Sequence, residues 1–322
     1  MQYRRLGSSD LDVSVIGLGG NTFGPPRLDA ARSADCIARA AELGVNFIDT
    51  AVVYGEGHSE AFIGAAIAGR RSDWIIASKF NLARREPGES VRQRVLAHFE
   101  TSLRRLRSDY IDLYQIHFKP LGVEDAEWLE VLDELVRAGK VRWVGCCNYA
   151  AWRHAGALAT AAQHGWPRLV SSQNHYNLLR RHVEFETLPF CAERGQAFLP
   201  YFPLAGGFLT DKYVAGQPAP AGTRGAAGSP IVKSSRSEHN EAVQTRLKHW
   251  AHSHGRTLGE LAVAWLLSHR EIPSVIAGVS SPQQVEQNVR AADWQLSDAE
   301  RAEVDAIAAW DGSDQLAEMR VP

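Results

Sequence analysis

The 322-residue chain carries 35 Lys and Arg against 37 Asp and Glu, a net charge of −2, and 45% of its residues are hydrophobic. That length can bury a large core in one or two domains, and so even a charge balance gives no electrostatic pull toward nucleic acid or a membrane surface. Cys36, Cys146, Cys147 and Cys191 have no CxxC spacing, the first residues hold no signal-peptide core, and no run of about 18 apolar residues occurs; a cytoplasmic protein with reduced thiols is expected.

In chain order, Gln2 to Leu6 and Leu11 to Val13 flank a Gly7-Ser8-Ser9-Asp10 turn and read as a short hairpin. A first strand over Val15 to Leu18 runs into Gly19-Gly20, and helical periodicity covers Ala30 to Leu43, with Gly44 as its stop. The alternation then repeats. Strand Asn46 to Asp49 leads to helix Ser59 to Ala68, strand Trp74 to Lys79 to helix Ser90 to Leu106, and strand Ile111 to His117 to helix Glu124 to Ala138. Strand Val141 to Cys147 is followed by helix Trp152 to His164, strand Leu169 to Asn174 by helix Val183 to Arg194, and strand Ala197 to Tyr201 by a Gly-, Pro- and Ala-rich segment from Pro203 to Ser235. A long loop of that kind in a compact domain is a functional candidate, and its composition equally suits a surface insertion. Helices Glu241 to His254 and Leu258 to His269 precede an eighth strand, Ser274 to Ala277; helices Ser281 to Ala292 and Ser297 to Trp310 close the chain, the last with a capping box in Ser297 and Glu300.

Eight strands alternating with helices favour an α/β fold of the (β/α)8 TIM-barrel type, with an N-terminal β-hairpin and two extra helices, as a single domain over 1–322. Spacing alone does not separate this from an open sheet. The first strand, however, runs into GLGGNTFG, which does not complete the G-x-G-x-x-G of a dinucleotide-binding open sheet.

On the barrel reading, Asp49, Lys79 and His117 stand at the C-terminal ends of three successive strands, and Tyr54 lies in the loop after the first of them. Singly, each has an ordinary structural explanation: a loop-holding acid, a core aromatic, a surface lysine, a satisfied core histidine. Together they describe a proton donor. A phenol titrates near 10, an adjacent ammonium pulls that value down, Asp49 would keep Lys79 charged, and His117 would orient a carbonyl oxygen toward Tyr54. The set contains no nucleophile, so an external hydride would complete the chemistry. Among the twelve histidines no HxH or HExxH pair falls at a strand end, and no metal is expected.

FIDTAVVYG, Ser78-Lys79 and YIDLYQIHF resemble the strand-two, strand-three and strand-four signatures of the aldo-keto reductases, and the similarity runs from the hairpin to about Asn288. The resemblance implies the barrel, a catalytic tetrad of Asp49, Tyr54, Lys79 and His117 with Tyr54 as general acid and base, and a nicotinamide nucleotide extended across the barrel mouth. By the same resemblance Gly20, Asn21, Asp49, Cys147, Asn148, Gln173, Tyr201, Phe202, Pro203, Leu204, Ala205, Gly206, Lys212, Arg224, Gly278, Ser280, Gln284 and Asn288 would hold the cofactor. In it, Asn148 and Gln173 hold the carboxamide, Tyr201 stacks on the nicotinamide ring, and the loop from Gly206 to Arg224 folds over the pyrophosphate as a belt. Cys147 and Phe202 stand where Ser is usual, and Ser280 where Arg or Lys is common; the potassium-channel β-subunit branch also has Ser there with NADP, so NADP(H) is implied ahead of NAD(H).

Phe23, Tyr54, His117, Phe118 and Trp152 are the candidate substrate contacts, for a small carbonyl or alcohol. A cofactor-sensing subunit like the channel β-subunits is the alternative. Those subunits carry Asn where this chain has His117, which argues against it.

Overall fold

The protein is described here by a computed structural model over residues 1–83 and 86–309. Strands β1 (Tyr3–Arg5) and β2 (Asp12–Ser14) form the expected antiparallel hairpin. The barrel strands and their helices follow: β3 (Ile16–Gly19), α1 (Ala30–Glu42), β4 (Phe47–Asp49), α2 (His58–Ala66), β5 (Ile75–Phe80), α3 (Val91–Leu106), β6 (Ile111–Ile116) and α4 (Asp125–Arg137). The second half comprises β7 (Val141–Cys147), α5 (Ala151–His164), β8 (Leu169–His175), α6 (Thr187–Arg194), β9 (Ala197–Tyr201), α7 (Pro230–Ser235), α8 (Glu238–Ser253), α9 (Leu258–Leu267), β10 (Val275–Gly278), α10 (Pro282–Ala291) and α11 (Asp298–Ile307). The eight strands β3 to β10 pair in parallel in the order β10-β3-β4-β5-β6-β7-β8-β9, and β9 packs beside β10, so the sheet curls into a (β/α)8 barrel.

Strand pleating decides which residues meet inside. Phe47, Ala77, Leu113, Val170, Ala197, Leu199 and Ile276 fill the lower barrel together with Leu6, Leu11 and Val13, so the hairpin plugs the floor. Gly7 makes that plug fit: it has φ +55°, and a Cβ there would lie 2.3 Å from the Val170 carbonyl oxygen. Outward residues such as Ile48, Ile76, Phe80, Tyr114 and Ile116 pack beneath the helices with Ile37, Phe99 and Trp128. Further up the strands Phe47, Ala77 and Leu113 give way to Asp49, Lys79 and Gln115, and the parallel register sets Lys79 beside Gln115 and Cys147 beside Gln173 toward the carboxyl ends.

Among the expected boundaries that differ, three stand out. The helix read from Val183 begins at Thr187, after a 3-10 turn over His182–Glu184, and Glu186 at φ −137°, ψ −53° breaks the path. Pro189 explains this: deep in a longer helix it would clash with the carbonyl of Phe185, whereas at the third helical position its missing N–H costs nothing. The segment from Pro203 to Ser235, read as irregular throughout, ends in α7, which starts with Ser229 ahead of Pro230 at the first helical position. The last helix was read to Trp310; it ends at Ile307, and Trp310 lies outside the described residues. Its capping box is present: Ser297 Oγ accepts from the Glu300 N–H while Glu300 accepts from the Ser297 N–H. No helix among the described residues is long and apolar enough to cross a membrane.

Candidate active site

β4 ends in Asp49 and β5 delivers Lys79 beside it, both essentially buried. All three donors of the Lys79 ammonium are used: Nζ lies 2.7 Å from Asp49 Oδ2, 2.9 Å from the Thr50 carbonyl oxygen and 3.3 Å from Tyr54 Oη. The second Asp49 oxygen, Oδ1, accepts from Gln173 Nε2 at 2.8 Å. Because Tyr54 Oη accepts from Lys79, its own O–H is left to point into the mouth. His117 follows β6, held by its N–H to the Phe80 carbonyl at 2.8 Å, and its ring meets Tyr54 edge to face with centroids 5.5 Å apart. The four residues converge.

The charges follow from burial. Burial penalises the Lys79 ammonium most, but the attraction of Asp49 together with Tyr54 and Cys147 and the hydrogen bond to Asp49 outweighs it and holds the pKa above the ordinary lysine value. Burial, helped by Lys79, drives His117 down to about 3, so the imidazole is neutral at pH 7. Tyr54 departs from the sequence expectation: its pKa is pushed up to about 12, because removal from water outweighs the downward pull of Lys79. The phenol is therefore fully protonated at neutral pH.

Around this centre, Asn148 Nδ2 donates to the His117 carbonyl at 3.1 Å, and Tyr201 donates from its hydroxyl to Asn148 Oδ1 at 2.8 Å while its ring stacks on His175 at 5.2 Å. Each polar atom of the Asn148 amide retains one further bonding position. Cys147 Sγ lies 3.9 Å from Gln173 Oε1, a weak contact in place of a serine bond. Asn148, Phe202 and Ala205 all have φ between 47° and 59°, a left-handed conformation unusual for residues other than glycine, and strain of this kind gathers at functional sites. Pro203 and Ala205 are buried beneath the mouth and Leu204 packs against the core.

The segment expected as a belt leaves β9 and comes back against the end of β10. Its Tyr213, buried, accepts from the Gly225 N–H at 3.1 Å and anchors the turn that carries Arg224. A Cβ on Gly278 would lie 2.9 Å from Asn21 Oδ1 and 3.6 Å from an Arg224 nitrogen, so strand end, Asn21 and belt meet there. Burial, then the like charge of Arg27, lowers the Arg224 pKa, and no carboxylate pairs with it among the described residues. A half-buried guanidinium without an acid, with the charge of Arg27 in its field, is a setting for a polyanion such as a pyrophosphate. Asn21 Oδ1 is buried without a donor. Gly20 packs against Ser59, where a Cβ would come within 2.7 Å of its hydroxyl. At the far end Ser281 caps α10, Ser280 donates its N–H to Gln284 Oε1 at 2.9 Å, and Asn288 is buried on the same helix. Lys212 is exposed on the belt. The unpartnered Asn21 Oδ1, Arg224 without an acid among the described residues and the capped start of α10 are donors and acceptors of the kind a dinucleotide uses.

Of the candidate substrate contacts, Phe118 stacks on the His117 ring at 4.5 Å and is 42% exposed at the mouth. Trp152 is 69% exposed at the start of α5. Phe23 is fully buried with Leu18 and Leu28, which removes it from the accessible wall; it supports the loop beneath Gly55 instead. Sequence reasoning missed Arg27, whose charge the fold sets within electrostatic reach of Arg224. It also missed Arg105, whose Nη1 donates to the Val52 carbonyl at 2.8 Å and whose guanidinium fills the space a Cβ on Gly57 would need. Buried Glu60 lies 3.5 Å from that Arg105 nitrogen, so the pair clamps the loop carrying Tyr54.

A parallel barrel with an Asp–Lys–Tyr–His cluster at the carboxyl ends of its strands defines an oxidoreductase-type site. The Aldo/keto reductase family model matches residues 15–309, and the chain belongs to that family. It is 32% identical to the aldo-keto reductase AMT2 of Alternaria alternata, over 94% of this chain and 90% of the relative. It is 31% identical to a probable voltage-gated potassium channel subunit beta of Arabidopsis thaliana, over 91% and 92%. The holo form of the aldo-keto reductase AKR11C1 from Bacillus halodurans superposes with a TM-score of 0.80 at 30% identity, covering 97% of this chain and 99% of that one.

Proposed function

We propose that the protein is an NADP(H)-dependent reductase of aldehydes or ketones, able to run the reverse oxidation of alcohols, acting in the cytoplasm. One observation carries the reading: Lys79 spends a donor on Tyr54 Oη, which frees the phenol hydrogen for a carbonyl oxygen placed between Tyr54 and His117. A nicotinamide held there would supply the hydride that reduces the carbonyl carbon. Tyr54, protonated at neutral pH, donates its proton to the oxygen as that charge develops, and the phenolate left behind faces the Lys79 ammonium before solvent returns the proton. Neutral His117 orients the oxygen without adding a second charge to the pocket. Asp49, tied by Lys79 and Gln173, fixes the ammonium and stays clear of the proton path.

In this reading Asn148 and Gln173 would hold the carboxamide, Tyr201 would face the nicotinamide, Arg224 with the belt would meet the pyrophosphate, and Gly278 to Asn288 would take the adenosine. Phe118 supplies an apolar wall beside His117 and Trp152 lies further out, a pairing suited to aryl or aliphatic carbonyls. Initial rates of NADPH and NADH oxidation over a panel of aldehydes and ketones test the reading. Turnover faster with NADPH is expected; tight nucleotide binding without reduction of any carbonyl would favour a sensing subunit instead.

A further inference from the structure

We propose that Arg32, on α1, reads the 2′-phosphate of the nucleotide, a role that rests on the dinucleotide site argued above. Ser280 lies two residues beyond the end of β10, where the family resemblance implies a basic side chain that would discriminate NADP from NAD, and a serine hydroxyl lacks the charge to do so. The structure brings a guanidinium there from elsewhere: Arg32 Nη2 donates to the Ser280 carbonyl oxygen at 3.3 Å, across 248 residues of sequence.

The other arginine of α1 differs in kind. Arg39 is paired with Glu42 at 2.7 Å and Glu286 at 2.8 Å, so its charge is already neutralised. Arg32 has no carboxylate partner among the described residues. Its nearest acids are otherwise engaged or turned away: Asp29 caps α1 by accepting from the Arg32 main-chain N–H at 2.9 Å, and Asp35 forms no ion pair with it. One of the five guanidinium hydrogens holds the loop; the others face solvent beside exposed Ser280 and the positive end of α10. A dianionic phosphate at that corner would meet a charged fork already positioned by its bond to Ser280.

The test is fluorescence titration of the full chain with NADP+ and NAD+, for wild type, Arg32→Gln and Arg32→Lys. Arg32→Gln is expected to weaken NADP+ binding roughly tenfold to hundredfold while NAD+ stays within about twofold, since a charged hydrogen bond to phosphate is lost and nothing else changes. Arg32→Lys should keep part of the preference. The unchanged NAD+ affinity serves as the control for folding. An Arg32→Gln variant with the wild-type NADP+ to NAD+ ratio, or with both affinities reduced alike, overturns the role of Arg32 and leaves the dinucleotide site standing. A wild type that binds neither nucleotide overturns both.

Discussion

Replacing Asp49 by Asn separates charge from shape at the centre of the barrel. Asn keeps the volume and an acceptor for Lys79, yet leaves a fully buried ammonium with only neutral oxygens: the Thr50 carbonyl, Tyr54 Oη and the new amide. Breaking a buried pair in this way costs about 3–5 kcal/mol, a large share of a typical stability of roughly 5–15 kcal/mol. Removing both charges, as in Asp49→Leu with Lys79→Met, leaves no orphaned ion and should recover most of that loss while abolishing activity. Urea unfolding reads both effects as midpoint shifts at constant slope. The sign of the pH dependence is fixed as well. The folded pKa of Lys79 lies above its ordinary 10.5, so its contribution is complete below that pH and fades only as pH rises through the raised folded value. The wild-type pair should therefore contribute constantly between pH 6 and 9, while the Asp49→Asn deficit should grow as pH rises past the point where the unpaired ammonium loses its proton in the fold. A variant within about 1 kcal/mol of wild type, or a double variant no more stable than the single one, would refute the claim that the pair is a desolvated, mutually dependent unit.

Two further outcomes follow from packing and titration. Gly64→Ala on α2 would bring a Cβ within 2.4 Å of the Arg105 carbonyl oxygen and 2.6 Å of the Leu106 carbonyl carbon, so the two helices must part; a loss of about 1–3 kcal/mol in urea is expected, and neutrality would show that α2 sits more loosely on α3. His98, His117, His154 and His269 have pKa values lowered by burial to about 4, 3, 4 and 3. Each takes a proton on unfolding before it does so when folded, so stability should fall as pH drops from about 6.5 toward 4, and His117→Asn should reduce that slope by about 1.4 kcal/mol per pH unit. An unchanged slope in the variant would mean that His117 titrates normally in the folded chain.

Much of the site was legible in the chain itself because strand pleating is simple. Inward positions recur every second residue, so a polar side chain two places beyond an apolar one, as in Phe47 and Asp49 or Ala77 and Lys79, marks the top of a barrel strand. Tyr54 was legible through its strand-loop setting between Asp49 and the glycines at 55 and 57. Pro189 could have set the start of α6, and Ser229-Pro230 could have marked α7, had those signals been weighed above composition. Other features were beyond reach. The meeting of Arg105 with Gly57 and of Arg32 with Ser280 depends on how distant helices settle on the barrel, which no local pattern encodes. The upward shift of Tyr54 was missed for a related reason: the sequence names the ammonium beside the phenol and says nothing of how much water the fold removes.

The central claim is that Tyr54 delivers the proton and that its neighbours prepare it to do so. Comparing wild type with Tyr54→Phe tests this most directly, with the rate of carbonyl reduction and the nucleotide Kd measured on the same preparations. The account predicts a loss of about a hundredfold or more in kcat, the usual scale for removing a general acid, with nucleotide Kd unchanged within about twofold. A Tyr54→Phe variant that reduces carbonyls at close to the wild-type rate would contradict it.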